Sequence, residues 1–242
     1  MQIFVPTLGR PDHQPAYEQL KAAELDPLLV VDLFDPADYT RYSHIRVQCR
    51  GIAEKRQAIL EHANGLKFMV IDDDITVRKV VQKNAGAKCK IHNASPDDIR
   101  KFMIQADKLL DFYAHGGIHP RAFVNKVPKP HCLNRTYYRQ LMFFNPALFI
   151  RTPKYTGETA EDIRFMIELL EQCLDYFIIT NFCMTEKEPE KEERWSEETR
   201  RADMESLAKL YPHRRLEKSG RVSLNFRQIL KNAKKERQHA EG

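Results

Sequence analysis

Over the first half of the chain, apolar runs short enough to be strands alternate with stripes at helical spacing. Ile3-Phe4-Val5-Pro6 and Leu28-Leu29-Val30-Val31 are continuous apolar runs, the form taken by strands buried on both faces of a parallel sheet. Phe68-Met69-Val70-Ile71 is a third such run. Residues 17–25 predict a helix, and Gly51 opens another that reaches Asn64-Gly65, a pair suited to stopping helices. Pro96-Asp97-Asp98 opens a helix that should reach Ala114 and stop at His115-Gly116-Gly117. Residues 141–150 read as strand material broken by Asn145-Pro146, 159–173 as a helix and 176–183 as a strand. Helices over 201–210 and from Phe226 onward complete the chain. The pattern predicts an α/β fold, a mainly parallel sheet flanked by helices, with a basic helical C-terminal extension.

Three carboxylates, Asp72-Asp73-Asp74, arrive where the third run should end. On an extended chain Asp72 and Asp74 would point one way and Asp73 the other. Like charges this close repel and are costly to bury unpaired, so a positive partner is expected, most simply a hard divalent cation with oxygen ligands. The competing reading is a solvated acidic loop after a core strand. In parallel sheets ligands bind outside the carboxyl ends of the strands. That edge would gather Asp72, Asp73 and Asp74 with the turn Thr7-Leu8-Gly9-Arg10 and with Asp32.

In the helix after Gly51, the residues Ile52, Ile59, Leu60 and Ala63 form one apolar stripe at roughly 100° per residue. Arg56 falls inside that stripe, flanked by Lys55. A guanidinium facing the sheet needs an anionic partner, either a ligand phosphate or carboxylate, or Asp72 or Asp73 as internal glue, unless it snorkels out beside the core. A second acidic motif, Gly157-Glu158-Thr159-Ala160-Glu161-Asp162, precedes the helical stripe Ile163, Met166, Ile167 and Leu170. Acidic residues favour helix starts for purely structural reasons, so these residues alone do not mark a site.

Composition narrows the class. A chain of 242 residues with 42% hydrophobic and 30% charged content has ample length for a real core. Its net charge of +5 is compatible with an anionic ligand or nucleic acid and requires neither. Five cysteines without CxxC pairs argue against a zinc site or a disulfide scaffold, and point to a reducing compartment. No basic stretch followed by a long apolar segment opens the chain, and no run approaches bilayer length, so a cytoplasmic soluble protein is expected.

Taken in order, Val5-Pro6-Thr7-Leu8-Gly9-Arg10, Gly51-Ile52-Ala53-Glu54-Lys55-Arg56-Gln57, Ile71-Asp72-Asp73-Asp74 and Glu161-Asp162 resemble a nucleotide-sugar glycosyltransferase of the Rossmann-like GT-A fold. The Gly-Ile-x-x-x-Arg-Gln form, the triple aspartate and the Glu-Asp before Leu169-Leu170 are most similar to the phage-type, TET-associated glycosyltransferases. These are relatives of the base J glucosyltransferase that modify hydroxymethylated pyrimidines in DNA. The segment Leu207-Ala208-Lys209-Leu210-Tyr211-Pro212 also suits that group, so the resemblance covers residues 1–215 as one domain and leaves 216–242 as the basic extension, packed on it.

The resemblance implies a nucleoside-diphosphate sugar donor, most simply a UDP-sugar, and a manganese or magnesium ion held by Asp74 and Asp72. Asp73 would face the donor sugar. Pro6, Thr7, Gly9, Arg10 and Asp32 would contact the nucleoside, and Gly51, Lys55 and Arg56 the diphosphate or the aspartates. Asp162, or Glu161, becomes the base for the acceptor hydroxyl, and His213 a further candidate metal ligand. For a DNA acceptor, Arg121, Lys126, Lys129, Arg135 and Arg139 interleave with Phe123, Tyr137 and Tyr138. Arg200, Arg201, Arg214, Arg215, Lys218, Arg221 and a basic tail over 231–237 follow. Such residues can hold phosphates and an extruded base. The other readings are a glycan, lipid or small-molecule acceptor, a noncatalytic DNA-binding module on the same scaffold, and a nucleotidyltransferase.

Overall fold

The computed structural model describes residues 1–81, 89–121, 130–134, 140–157, 160–186, 197–210, 214–216, 222–224 and 226–241. The elements run β1 (Gln2–Pro6), α1 (Pro15–Ala22), β2 (Pro27–Asp32), β3 (His44–Val47), α2 (Ile52–Ala63), β4 (Phe68–Ile71), β5 (Ile75–Val81) and β6 (Lys90–Asn93). They continue through α3 (Pro96–Leu109), β7 (His115–Pro120), β8 (His131–Leu133), β9 (Leu141–Phe144), α4 (Glu161–Glu171), β10 (Tyr176–Glu186) and α5 (Glu197–Leu210). A small hairpin, β11 (Arg214–Leu216) and β12 (Val222–Leu224), precedes α6 (Phe226–Glu241).

One sheet has the order β3-β2-β1-β4-β9-β7-β10-β5-β6, with β8 alongside β10. The half β3-β2-β1-β4 is parallel, and β9 joins it to a mixed half by antiparallel pairing. Side chains alternate through the parallel half as period-two geometry requires. Ile3, Val5, Leu29, Val31, Met69 and Ile71 enter one buried cluster with residues of α1 and α3. Phe4, Val30, Phe68 and Val70 enter the other with α2, α4 and α6. Two covered faces explain why these strands read as unbroken apolar runs rather than alternating ones.

Local chemistry sets the helix ends. Gly51 caps α2 at a φ of 105°, a conformation that strongly favours glycine, and Asn64 ends the helix in the left-handed region at 47°. Ser95 and Asp98 form a reciprocal capping box at the start of α3.

Several expectations are corrected. α3 ends at Leu109, and His115-Gly116-Gly117 is not its stop but the start of strand β7. Gly116 is needed there because a Cβ would sit 2.6 Å from the Phe177 ring of the neighbouring strand. The strand expected over 141–150 stops at Phe144, where Asn145 turns the chain into a short 3-10 segment, Pro146–Leu148. β10 extends to Glu186, and α5 starts at Glu197 rather than Arg201. The strands β3, β5 and β6 were not read from sequence because they carry many polar or exposed positions.

Candidate active site

Asp72-Asp73-Asp74 is a tight turn between β4 and β5, not the end of an extended strand, and the Ile75 amide closes it on the Asp72 carbonyl at 3.1 Å. The alternation expected along a strand therefore fails. Asp73 and Asp74 address the same cation, with Arg10 Nη1 donating to Asp73 Oδ1 at 3.0 Å and to Asp74 Oδ2 at 3.3 Å. Asp72 turns instead to Arg56, 2.7 Å from its Nη2. Backbone pairing holds the turn, since the Asp72 amide donates to Gln140 O at 2.8 Å and the Ala16 amide to Asp73 O at 3.2 Å.

Arg56 is buried among core residues of α2 and joins two segments far apart in the chain. One guanidinium nitrogen binds Asp72, and the other binds Glu161 at the start of α4. Internal pairing thus supplies the anionic partners that a buried guanidinium demands. Burial raises Asp72 to about 6 and Glu161 to about 7. Burial opposes charge on Arg56 as well, but the surrounding carboxylates hold it firmly protonated. Asp162, next to Glu161, is half-buried, and its Oδ1 accepts the Ile163 amide at 2.8 Å. The structure thus separates a motif that sequence left undivided, with Glu161 buried against Arg56 and Asp162 nearer the surface.

The turn after β1 is built on the same carboxylates. Thr7 Oγ1 donates to Asp73 Oδ2 at 2.7 Å, and Gln14 Nε2 donates to Thr7 Oγ1 at 2.8 Å and to Arg10 O at 2.7 Å. Lys55 Nζ, from α2, donates to Thr7 O at 2.5 Å. Burial lowers the Lys55 ammonium from its ordinary value. Pro6 is buried as the last residue of β1.

Asp35 and Tyr39, absent from the sequence-based candidates, complete this wall. Asp35 Oδ2 accepts the Gly9 amide at 2.8 Å and the Tyr39 hydroxyl at 3.0 Å, and Tyr39 in turn accepts the Arg10 amide at 3.1 Å. Burial pushes the Asp35 carboxyl up, but these donors and Ala37 together hold it below its usual range. The signal was available, because the loop after β2 leaves the same sheet edge as the chosen turns. Asp32 ends β2 beside them, its carboxylate accepting the Phe34 amide at 2.9 Å. Leu8, Gly9, Asp32, Phe34, Asp35 and Pro36 enclose an open groove of about 560 Å³. Tyr155 is another omission. It stacks on Phe165 at 3.9 Å, and its buried hydroxyl makes no hydrogen bond among the described residues.

The donor set has the chemistry of a hard-cation site. Asp32, Asp35, Asp72, Asp73, Asp74, Glu161 and Asp162 outnumber the cations Arg10, Lys55 and Arg56 along this edge. Asp72 and Asp74 keep side-chain exposures of 24% and 27%, whereas Asp73 keeps 8%. Among the described residues no three acidic, His or Cys side chains are grouped to enclose a metal. Magnesium-type sites need only one or two carboxylates when substrate phosphates supply the remaining oxygens, so this arrangement fits such an ion. Asp73, which the resemblance turns toward the donor sugar, accepts hydrogen bonds from Thr7 Oγ1 and Arg10 Nη1. His213, Lys126, Lys129, Arg135, Arg139, Phe123, Tyr137, Tyr138, Lys218 and Arg221 lie outside the described residues. No helix among the described residues is long and apolar enough to cross a membrane.

The family model for TET-Associated Glycosyltransferase matches residues 1–193. S. aureus TarS 1–349, solved in complex with UDP-GlcNAc, shares the fold at a TM-score of 0.51 and 14% identity, over 86% of this chain and 67% of that chain. A nucleotide-diphospho-sugar transferase structure from Desulfovibrio desulfuricans G20 aligns at a TM-score of 0.41 and 12% identity, over 74% of this chain and 80% of that one. No curated protein matches the chain.

Proposed function

The chain belongs to the TET-associated glycosyltransferase family, and we propose that it moves a sugar from a nucleoside diphosphate, most simply UDP, to the hydroxyl of a 5-hydroxymethylpyrimidine in DNA, with inversion. The observation that carries this reading is the convergence of four separated segments on one sheet edge. Arg10 ties the β1 turn to Asp73 and Asp74, while Arg56 ties Asp72 to Glu161. The fold shared with TarS, a protein solved with UDP-GlcNAc, supports the donor class, and the family description supports DNA as acceptor.

In this reading the groove between Leu8 and Pro36 takes the nucleoside, with Asp32 at its polar end. Asp72 and Asp74 would hold a manganese or magnesium ion, and such an ion would supply positive charge against the departing diphosphate. Arg10 and Lys55 set fixed positive charge against the same phosphates. Asp73 positions Arg10, and Glu161 fixes Arg56 so that the Asp72 carboxylate keeps its direction. The acceptor oxygen attacks the anomeric carbon, the bond from that carbon to the diphosphate oxygen breaks, and Asp162 receives the hydroxyl proton.

The test compares acceptors. Labelled UDP-sugar, manganese or magnesium and duplex DNA bearing 5-hydroxymethylcytosine, 5-hydroxymethyluracil or neither are incubated with the protein. Label should enter only hydroxymethylated DNA, and the product's anomeric configuration reports inversion. Donor hydrolysis without transfer to any DNA overturns the acceptor and leaves a glycan, lipid or small molecule.

A further inference from the structure

We propose that the outer face of α6, together with Leu133 and Asn134 beneath it, is a second DNA contact, gripping phosphates far from the catalytic turn. The inference rests on the DNA-acceptor reading. Arg227, Lys231, Lys234 and Lys235 recur at the spacing of one helix face and, with Leu133 and Asn134, line a groove of about 560 Å³. Lys234 is neutralised by Asp175, 2.7 Å away, and Asn134 Nδ2 donates to the same carboxylate at 2.7 Å. Arg227, Lys231 and Lys235 are exposed and make no ion pair among the described residues. Glu236 of this helix is exposed, acts on Glu171 of α4 and does not line the groove.

What remains exposed on α6 selects the partner. Phe226, Ile229 and Leu230 are buried in the core cluster shared with α4. A helix that lies in a membrane interface buries an apolar face in the lipid, and here that face is already covered by the core. A polyanion with a regular charge repeat is the matching ligand, and duplex DNA offers phosphates every few ångströms.

Position gives the contact its meaning. The Asn134 amide donates to Tyr176 O at the start of β10, whereas Glu186 at its far end pairs with Ile75, directly after the aspartate turn. β10 shifts register against β7 between Ile179 and Cys183, so that Tyr176 to Met184 matches only His115 to Pro120. At about 3.3 Å per residue the two places are then roughly 23 Å apart, or about seven base pairs of duplex. DNA held at both points is anchored on a fixed lever while one base is presented for glycosylation.

The experiment uses the full chain and the triple variant Arg227→Gln, Lys231→Gln, Lys235→Gln. Fluorescence anisotropy is read on an unmodified duplex of about 30 base pairs and on one of about six, across a salt series. Three lost phosphate contacts should shrink the log-log salt slope by about 2.7 on the long duplex and weaken binding on the order of 10-fold or more. The short duplex reaches only one of the two places at a time, so its loss should be smaller than that of the long duplex, and donor hydrolysis and thermal midpoint should not change. Unchanged affinity and slope on the long duplex, or equal loss on both lengths, overturns the proposal. So does lost binding to anionic phospholipid vesicles with DNA binding intact. A groove-dependent salt slope with no sugar transfer to hydroxymethylated DNA sinks the acceptor reading and leaves the contact standing.

Discussion

Arg56 shows how a single side chain can connect two segments that are remote in sequence. Its guanidinium is 4% exposed and binds Asp72 and Glu161, so truncation strands two carboxyl groups in a low-dielectric setting. Arg56→Ala should cost about 3–5 kcal/mol, a fall in Tm on the order of 10 °C, read by thermal unfolding. Arg56→Lys cannot reproduce a two-sided fork and should recover only part of that loss.

Glu161 adds a pH signature. Burial raises its folded value from 4.5 to about 7, so the folded state binds the proton more tightly than the unfolded chain does. Its contribution to stability is therefore fully present below about 4.5 and lost as pH rises through about 7. Glu161→Gln should flatten the decline of Tm over that window, and an unchanged pH slope would contradict the assignment.

At the scale of elements, the β7–β10 contact depends on one missing Cβ. Gly116→Ala places a methyl 2.6 Å from the ring atoms of Phe177, which is wholly buried. Overpacking of this kind costs about 1–3 kcal/mol, and pairing it with Phe177→Leu should return part of the loss in urea unfolding. The same glycine shows where sequence was hard to read. His115-Gly116-Gly117 carries a helix-stop pattern, and only the Phe177 ring across the strand reveals it as a sheet contact.

The parallel half was legible because burial on both faces forces unbroken apolar runs, as at Leu29, Val30 and Val31. β5 was not, since Thr76, Arg78 and Lys79 alternate with its buried residues and β10, its partner, lies a hundred residues on. Arg56 inside an apolar stripe was visible as an anomaly, but its link to Glu161 depended on how α4 packs. Asp35 stayed hidden for a similar reason. Its neighbours in the chain look like an ordinary loop, and its task appears only beside Gly9 and Tyr39.

On the scale of the whole molecule, the edge proposed as catalytic lies at the seam where the parallel strands meet the mixed half, since the aspartate turn leads from β4 directly into β5. Donor and cation should therefore stabilise the entire sheet rather than one loop. Manganese with UDP-sugar at about 100 times its Kd should add about 2.7 kcal/mol to unfolding, visible in a thermal scan. Asp74→Asn or a chelator should remove the cation-dependent share of that gain and lower transfer on the order of 100-fold. Persistence of full activity in either case would exclude the proposed ion.

Arg10 already sits on Asp74, one of the two carboxylates proposed for the divalent guest, and on Asp73 beside it, as a resident monovalent tenant. An arriving ion must first evict it, and the evicted guanidinium then needs a new anion. A donor pyrophosphate provides one. Metal affinity measured without nucleotide should consequently be feeble, with the two ligands entering as an obligate pair and stray ions turned away from the idle enzyme.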